Sequence, residues 1–90
     1  MNTNLSPYQS WFIYLLECSD GTLYTGITND LDKRIKTHNL GLGAKYTRGR
    51  IPVKLLEFIT VNSQSEALRL EHQIKKLPKL KKRQYFQQAQ

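Results

Sequence analysis

The run Trp11-Phe12-Ile13-Tyr14-Leu15-Leu16 constrains this chain more than any other stretch. It is the longest unbroken apolar segment among the 90 residues, and it falls far short of the roughly 20 needed for a membrane-spanning helix. Aromatic and aliphatic residues that continue to Cys18 and then stop at Ser19-Asp20-Gly21 make a strand entering a hairpin, with Thr22 to Ile27 as the return strand. Loop length decides what the hairpin presents. A two-residue loop at Asp20-Gly21 would pair Cys18 with Leu23 and put Tyr14 and Tyr24 on opposite faces. A three-residue loop, with Gly21 left-handed as a bulge, pairs Cys18 with Thr22, Leu16 with Tyr24 and Tyr14 with Gly26. Both phenols then share one face, and Gly26 leaves space above Tyr14. The three-residue loop is the expectation.

The remaining elements follow from breakers and caps. Thr28-Asn29-Asp30 supplies cap residues for a short helix over Leu31 to Asn39. Gly41, Gly43, Gly49 and Pro52 exclude a regular element through most of residues 40–52. Val53 to Val61 is a third strand. Ser63 and Glu66 form a capping box, and the helix they open carries Ala67, Leu70, Ile74 and Leu77 on one stripe. Pro78 ends it and starts another helix through about Gln87. The order is β-β-α-β-α-α, an α+β domain in which a small antiparallel sheet is covered by helices. A chain of 90 residues buries one core, so the division is a flexible lead-in over 1–10, one domain over 11–83 and a helix end over 84–90.

Charge is distributed unevenly. Fourteen Lys and Arg against seven Asp and Glu leave +7, yet the first 32 residues hold no base. After Glu71 there is no acid, and Lys75, Lys76, Lys79, Lys81, Lys82 and Arg83 crowd into nine residues. That asymmetry suits a polyanion, nucleic acid or an anionic membrane surface. No basic segment precedes the apolar run, so it does not read as a secretory signal. One Cys cannot form an internal disulfide, and one Cys with two His lacks zinc-site spacing. A reduced, cytoplasmic protein without a structural transition metal is expected.

Several residues carry chemistry by type and spacing. Taken singly, Tyr14 and Tyr24 are best explained as strand packing; their shared face is what singles them out. Arg34 and His38 stand four apart on one helix face, where a solvated basic surface is the plainer reading. His72 reads as a surface or packing residue rather than a ligand. Glu71 sits at the margin of the apolar stripe, where a carboxylate needs a cation. Lys75, one turn on, offers an ordinary salt bridge; a hydrated Mg²⁺ held by one carboxylate and phosphate oxygens is the functional alternative. The stretch Gly41 to Arg50 is neither a dinucleotide fingerprint nor a Walker loop. Its Lys45, Arg48 and Arg50 around Tyr46 suit a phosphate backbone with one stacking aromatic, although a merely flexible loop has the same composition. Lys75, Lys79 and Lys82 extend that candidate nucleic-acid surface.

In order, Ile13-Tyr14, Tyr24-Thr25-Gly26 ten residues on, Arg34 ten further, His38 one turn later and Glu71 within Glu66-Ala67-Leu68-Arg69-Leu70-Glu71 resemble the GIY-YIG endonuclease domain. The resemblance runs from about Trp11 to Arg83 and is nearest to small stand-alone bacterial members, relatives of Slx-type nuclease subunits. It implies a three-stranded antiparallel sheet flanked by helices and metal-dependent hydrolysis of phosphodiesters in DNA. By that resemblance Glu71 holds one Mg²⁺ or Mn²⁺ ion, bound together with substrate, and Arg34 binds the scissile phosphate. Tyr24 positions or deprotonates the attacking water, assisted by Tyr14 and His38. Since a free tyrosine titrates near pH ~10, such a base needs a nearby cation, the metal or Arg34. Two motif positions differ: Phe12 stands where the family name has Gly, and Thr25 where it has Ile. The Asn that many members place beyond the metal Glu has no counterpart after Asn62. A protein partner that supplies substrate grip, or a binding module with little catalysis of its own, is the alternative. The sequence leaves DNA versus RNA, substrate structure and oligomeric state open.

Overall fold

A computed structural model describes residues 10–89; all of the expected lead-in except Ser10 lies outside the described residues. The sheet has the order β2-β1-β3, with β1 (Trp11–Glu17), β2 (Leu23–Thr28) and β3 (Lys54–Val61). The most apolar strand takes the centre, where both of its faces are covered, and Ile13, Tyr14, Leu15 and Leu16 are all buried.

The hairpin adopts the three-residue loop. Cys18 N–H donates to the Thr22 carbonyl at 2.9 Å and Gly21 N–H to the Cys18 carbonyl at 2.9 Å. Gly21 has φ of +82°, a conformation in which a Cβ is disfavoured. Leu16 pairs with Tyr24 and Tyr14 with Gly26, so the two phenols lie on one face. On the other side of β1, Leu15 pairs with Glu57 but Leu16 with Leu55. Leu56 is therefore an extra residue in β3. This bulge turns Leu55 toward the tyrosine face while Leu56 and Glu57 both point the other way.

Four helices complete the described residues: α1 (Leu31–Asn39), α2 (Lys45–Arg48), α3 (Gln64–Lys75) and α4 (Lys79–Ala89). Asp30 caps α1, its carboxylate accepting from Lys33 N–H at 3.2 Å. Ser63 caps α3 by accepting from Glu66 N–H at 3.1 Å. Helix α3 ends at Lys75, short of Leu77, and Pro78 stands just before α4 rather than inside its first turn. The four-residue α2 is the addition to the expected order. No periodicity can be read in so short a piece, and the glycines around it signal only a loop.

Helices α3 and α4 cover one face of the sheet. Ile13, Leu15, Val61, Ala67, Ile74 and Phe86 form its core, and each large side chain there contributes roughly 1.5–3 kcal/mol by leaving water. The other face packs Tyr14, Leu16, Cys18 and Val53 against Leu31 and Ile35 of α1. Asn39, at the end of α1, clasps the backbone just before β3. Its Nδ2 donates to the Val53 carbonyl at 3.1 Å, and its Oδ1 accepts from Val53 N–H at 2.7 Å. No described helix is long and apolar enough to cross a membrane.

Candidate active site

Helix α1 delivers Arg34 and His38 to the same phenol. The four-residue spacing puts both on the helix face that meets β1. His38 Nε2 lies 2.9 Å from the Tyr14 hydroxyl, and Arg34 Nε donates to that hydroxyl at 3.4 Å. Tyr14 and His38 are both buried. The His38 ring stands edge-on to Tyr14 at 5.9 Å and to Tyr24 at 5.5 Å between centroids. The expected basic helix face is thus turned inward at these two positions. Glycines make the room: a Cβ on Gly26 would overlap the Tyr14 ring and hydroxyl, and one on Gly43 would overlap His38 Nδ1.

Burial sets the protonation states. With the Arg34 charge as a second cause, it pulls the His38 pKa from 6.5 down to about 4, so the ring is neutral at pH 7. Burial likewise raises the Tyr14 phenol above its ordinary value, against the hydrogen bond from Arg34, which lowers it. Among the described residues no carboxylate pairs with Arg34. A guanidinium at the edge of this pair, free of an acid, is suited to an incoming phosphate.

The fifth residue arrives from the covering helix α3. Glu71 is mostly buried, with 19% of its side chain exposed, and its Oε2 is 3.4 Å from Lys75 Nζ. That ammonium also lies 5.4 Å over the Tyr24 ring. The ion pair weighed from the sequence is formed, and Lys75 is a cation placed over Tyr24, where sequence reasoning offered only a metal or Arg34. Tyr24, Tyr46, Lys75 and Lys82 line a shallow cleft of about 420 Å³ together with Leu23 and Thr25. Among the described residues no group of three or more His, Cys, Asp and Glu could cage a metal. The donor set fits only a hard cation that takes one carboxylate and completes its shell with water and phosphate oxygens.

The residues nominated for nucleic-acid grip have mostly intramolecular tasks. Tyr46 stacks on Tyr24 at 5.9 Å and 25°, with the Arg50 guanidinium 4.1 Å from its ring centroid. Arg50 donates to Asp20 at 3.0 Å and to the Tyr46 carbonyl at 2.7 Å, and its own carbonyl accepts from Ser19 N–H at 2.8 Å. The glycine-rich stretch is therefore strapped to the hairpin loop. Arg48 Nε reaches the Gly43 carbonyl at 3.4 Å. Lys79 donates to the Gly21 carbonyl at 2.7 Å and Lys82 to the Leu77 carbonyl at 2.6 Å, the latter in the turn between α3 and α4. Lys45 is exposed, and so is His72, which takes the surface rather than the packing alternative. Sequence reasoning missed Thr47, which is fully buried with its hydroxyl 2.8 Å from His38 Nδ1, and Asn39. Their partners lie nine and fourteen residues away, beyond any local spacing rule.

A β2-β1-β3 sheet with two tyrosines on one face, an Arg/His pair from the first helix and a Glu from a later one defines a GIY-YIG catalytic domain. The family model of that description, GIY-YIG catalytic domain, matches residues 10–84. A UPF0213 protein of Streptococcus agalactiae is 53% identical over 77 residues, covering 86% of this chain and 88% of its own. One of Haloquadratum walsbyi is 48% identical over 78 residues, covering 87% and 88%. The NMR structure of a UPF0213 protein from Bacillus halodurans superposes with a TM-score of 0.53 at 49% identity, over 84% of this chain and 81% of that one. That of an E. faecalis protein gives 0.62 at 38% identity, over 88% and 84%. The chain belongs to the GIY-YIG family, among its small UPF0213 proteins.

Proposed function

We propose that this protein is a divalent-cation-dependent endonuclease that hydrolyses phosphodiester bonds in DNA, single-stranded or branched forms included. The observation that carries the reading is the convergence of Arg34 and His38 on the buried Tyr14 hydroxyl. A packed core gains nothing from placing a guanidinium, an imidazole and a phenol together, whereas phosphoryl chemistry uses all three. Arg34, unpaired with acid, binds the scissile phosphate and offsets the charge that grows on its oxygens. Tyr24, at the cleft mouth, orients the attacking water under the field of Lys75. Tyr14 and His38 receive or return the proton through their hydrogen bond. Glu71 would hold one Mg²⁺ or Mn²⁺ ion, displacing Lys75 from its carboxylate; such an ion supplies positive charge at the phosphate.

The test is a cleavage panel of single-stranded, duplex, flapped and four-way DNA with Mg²⁺ or Mn²⁺. Wild type should cleave at least one substrate, and Glu71→Ala should lose cleavage while keeping its fold and most of its DNA binding. Equal cleavage by purified Glu71→Ala would sink the assignment.

A second reading, a nucleic-acid-binding module without useful catalysis, is favoured by one contact. Glu71 is already neutralised by Lys75, and no Asn follows Asn62 to assist it. Binding with no metal-dependent cleavage of any of the four substrates would select this reading.

A further inference from the structure

The heavy-atom distances around His38 point to one direction for its hydrogen bonds. The Thr47 hydroxyl lies 2.9 Å from the Ala44 carbonyl, which can only accept. That carbonyl also accepts from Thr47 N–H, and a hydroxyl hydrogen turned toward His38 would leave two oxygens with facing lone pairs at 2.9 Å, so the hydrogen is assigned to Ala44. Thr47 Oγ1 also lies 2.8 Å from His38 Nδ1, and with its own hydrogen spent it can only accept there. The proton of the neutral ring is then on Nδ1. Nε2 is left bare and must accept from the Tyr14 hydroxyl 2.9 Å away, whose lone pairs face Arg34 Nε at 3.4 Å. The chain runs one way, from Arg34 through Tyr14, His38 and Thr47 to Ala44.

We propose that Thr47 is a positioning residue for the reaction: anchored on the Ala44 carbonyl, its hydroxyl holds His38 with the proton on Nδ1, so that bare Nε2 faces the Tyr14 hydroxyl. The inference rests on the nuclease reading for its consequence in turnover, but not for the geometry. When Tyr14 takes up a proton released by the attacking water, its own phenolic proton moves to Nε2, so the phenol stays neutral and the transferred charge rests on His38. The opposite tautomer would put an N–H against the phenol and close that route. A hydroxyl is an ambiguous partner for a ring nitrogen, since it can donate or accept. The Ala44 carbonyl removes the ambiguity. Tyr14, His38 and Thr47 are all buried, so water does not compete for these bonds, and the close approach of Gly43 to His38 Nδ1 keeps the second helix near enough to make them.

The experiment is a long-range ¹H–¹⁵N correlation spectrum of the imidazoles at pH 7, with cleavage kinetics beside it. Wild type should show an unprotonated Nε2 and a protonated Nδ1 on His38. Thr47→Ser should keep that pattern, and Thr47→Val, which fills the same space without the hydroxyl, should move the proton to Nε2. On the substrate that wild type cleaves, Thr47→Val should lower kcat by about 10- to 100-fold with KM nearly unchanged, and Thr47→Ser should restore it. A proton on Nε2 in wild type overturns the proposal, as does a Thr47→Val protein with unaltered tautomer and kcat. The wild-type spectrum needs no variant to fold and no substrate. It decides the tautomer even if the nuclease reading fails for lack of cleavage.

Discussion

The two faces of the sheet are built on opposite principles. Under α3 and α4, Ile13, Leu15, Val61, Ala67, Ile74 and Phe86 meet as hydrocarbon, and the contacts are tolerant of chemistry as long as volume is kept. Under α1 and α2, Tyr14, His38 and Thr47 are as deeply buried but are joined by hydrogen bonds that fix which atom faces which. The first face supplies cohesion. The second gives up some of it, since a buried polar network gains little net stability, and acquires a defined geometry in return. One strand serves both, because successive residues of β1 point to opposite sides.

The largest expected effect separates the faces by stability. Phe86→Ala removes a fully buried ring from the apolar face and should cost about 3–5 kcal/mol in urea or thermal unfolding. The protein that remains folded in the cold should cleave at the wild-type rate. A loss of cleavage without a loss of stability would break the division of labour. Next comes the reverse case. Arg34→Ala should reduce kcat/KM by at least about 100-fold, roughly 2.7 kcal/mol of barrier, while leaving the unfolding midpoint almost unmoved. A midpoint that falls as far as that of Phe86→Ala would make Arg34 a structural residue.

On the polar face, acid should act through His38. His38 is depressed from 6.5 to about 4 in the folded chain, so between those values the unfolded state takes up a proton that the native state refuses. Stability from this group is intact above pH 6.5 and is lost as the pH falls toward 4. His38→Gln should flatten that part of a stability-against-pH curve, and an unchanged slope would refute the assignment. The smallest effect belongs to the one flaw in the apolar side. The Thr25 hydroxyl is buried and, among the described residues, without a hydrogen-bond partner. Thr25→Val should raise stability by about 1 kcal/mol without touching cleavage. Thr25 borders the same cleft as Tyr24, but strand alternation puts its side chain on the other face of the sheet, and a change in kcat would show that the faces are coupled.

What could be read from the amino acids follows the range of the forces involved. Loop arithmetic at Ser19-Asp20-Gly21 sets the register of Tyr14 and Tyr24, because a hairpin is a local structure. The turn of α1 likewise pairs Arg34 with His38. The roles of Lys79 and Lys82 were not legible: a cluster of lysines reads as a surface for anions, but the carbonyls at Gly21 and Leu77 claim two of them. Thr47 was hidden for a similar reason. It stands in a helix of one turn that no periodicity announces, and its importance comes from a ring on another element.

The close fit of glycine to ring also bears on how such a chain changes over generations. Gly26 is matched to Tyr14 and Gly43 to His38, each without room for a methyl group. A mutation at either glycine is barred while the ring opposite remains, but the ring can be replaced by something smaller with the glycine in place. The permitted order is fixed. A descendant that abandons this chemistry loses the tyrosine or histidine first and its glycine afterwards, so a surviving glycine opposite a vanished ring would be the residue of a former active site.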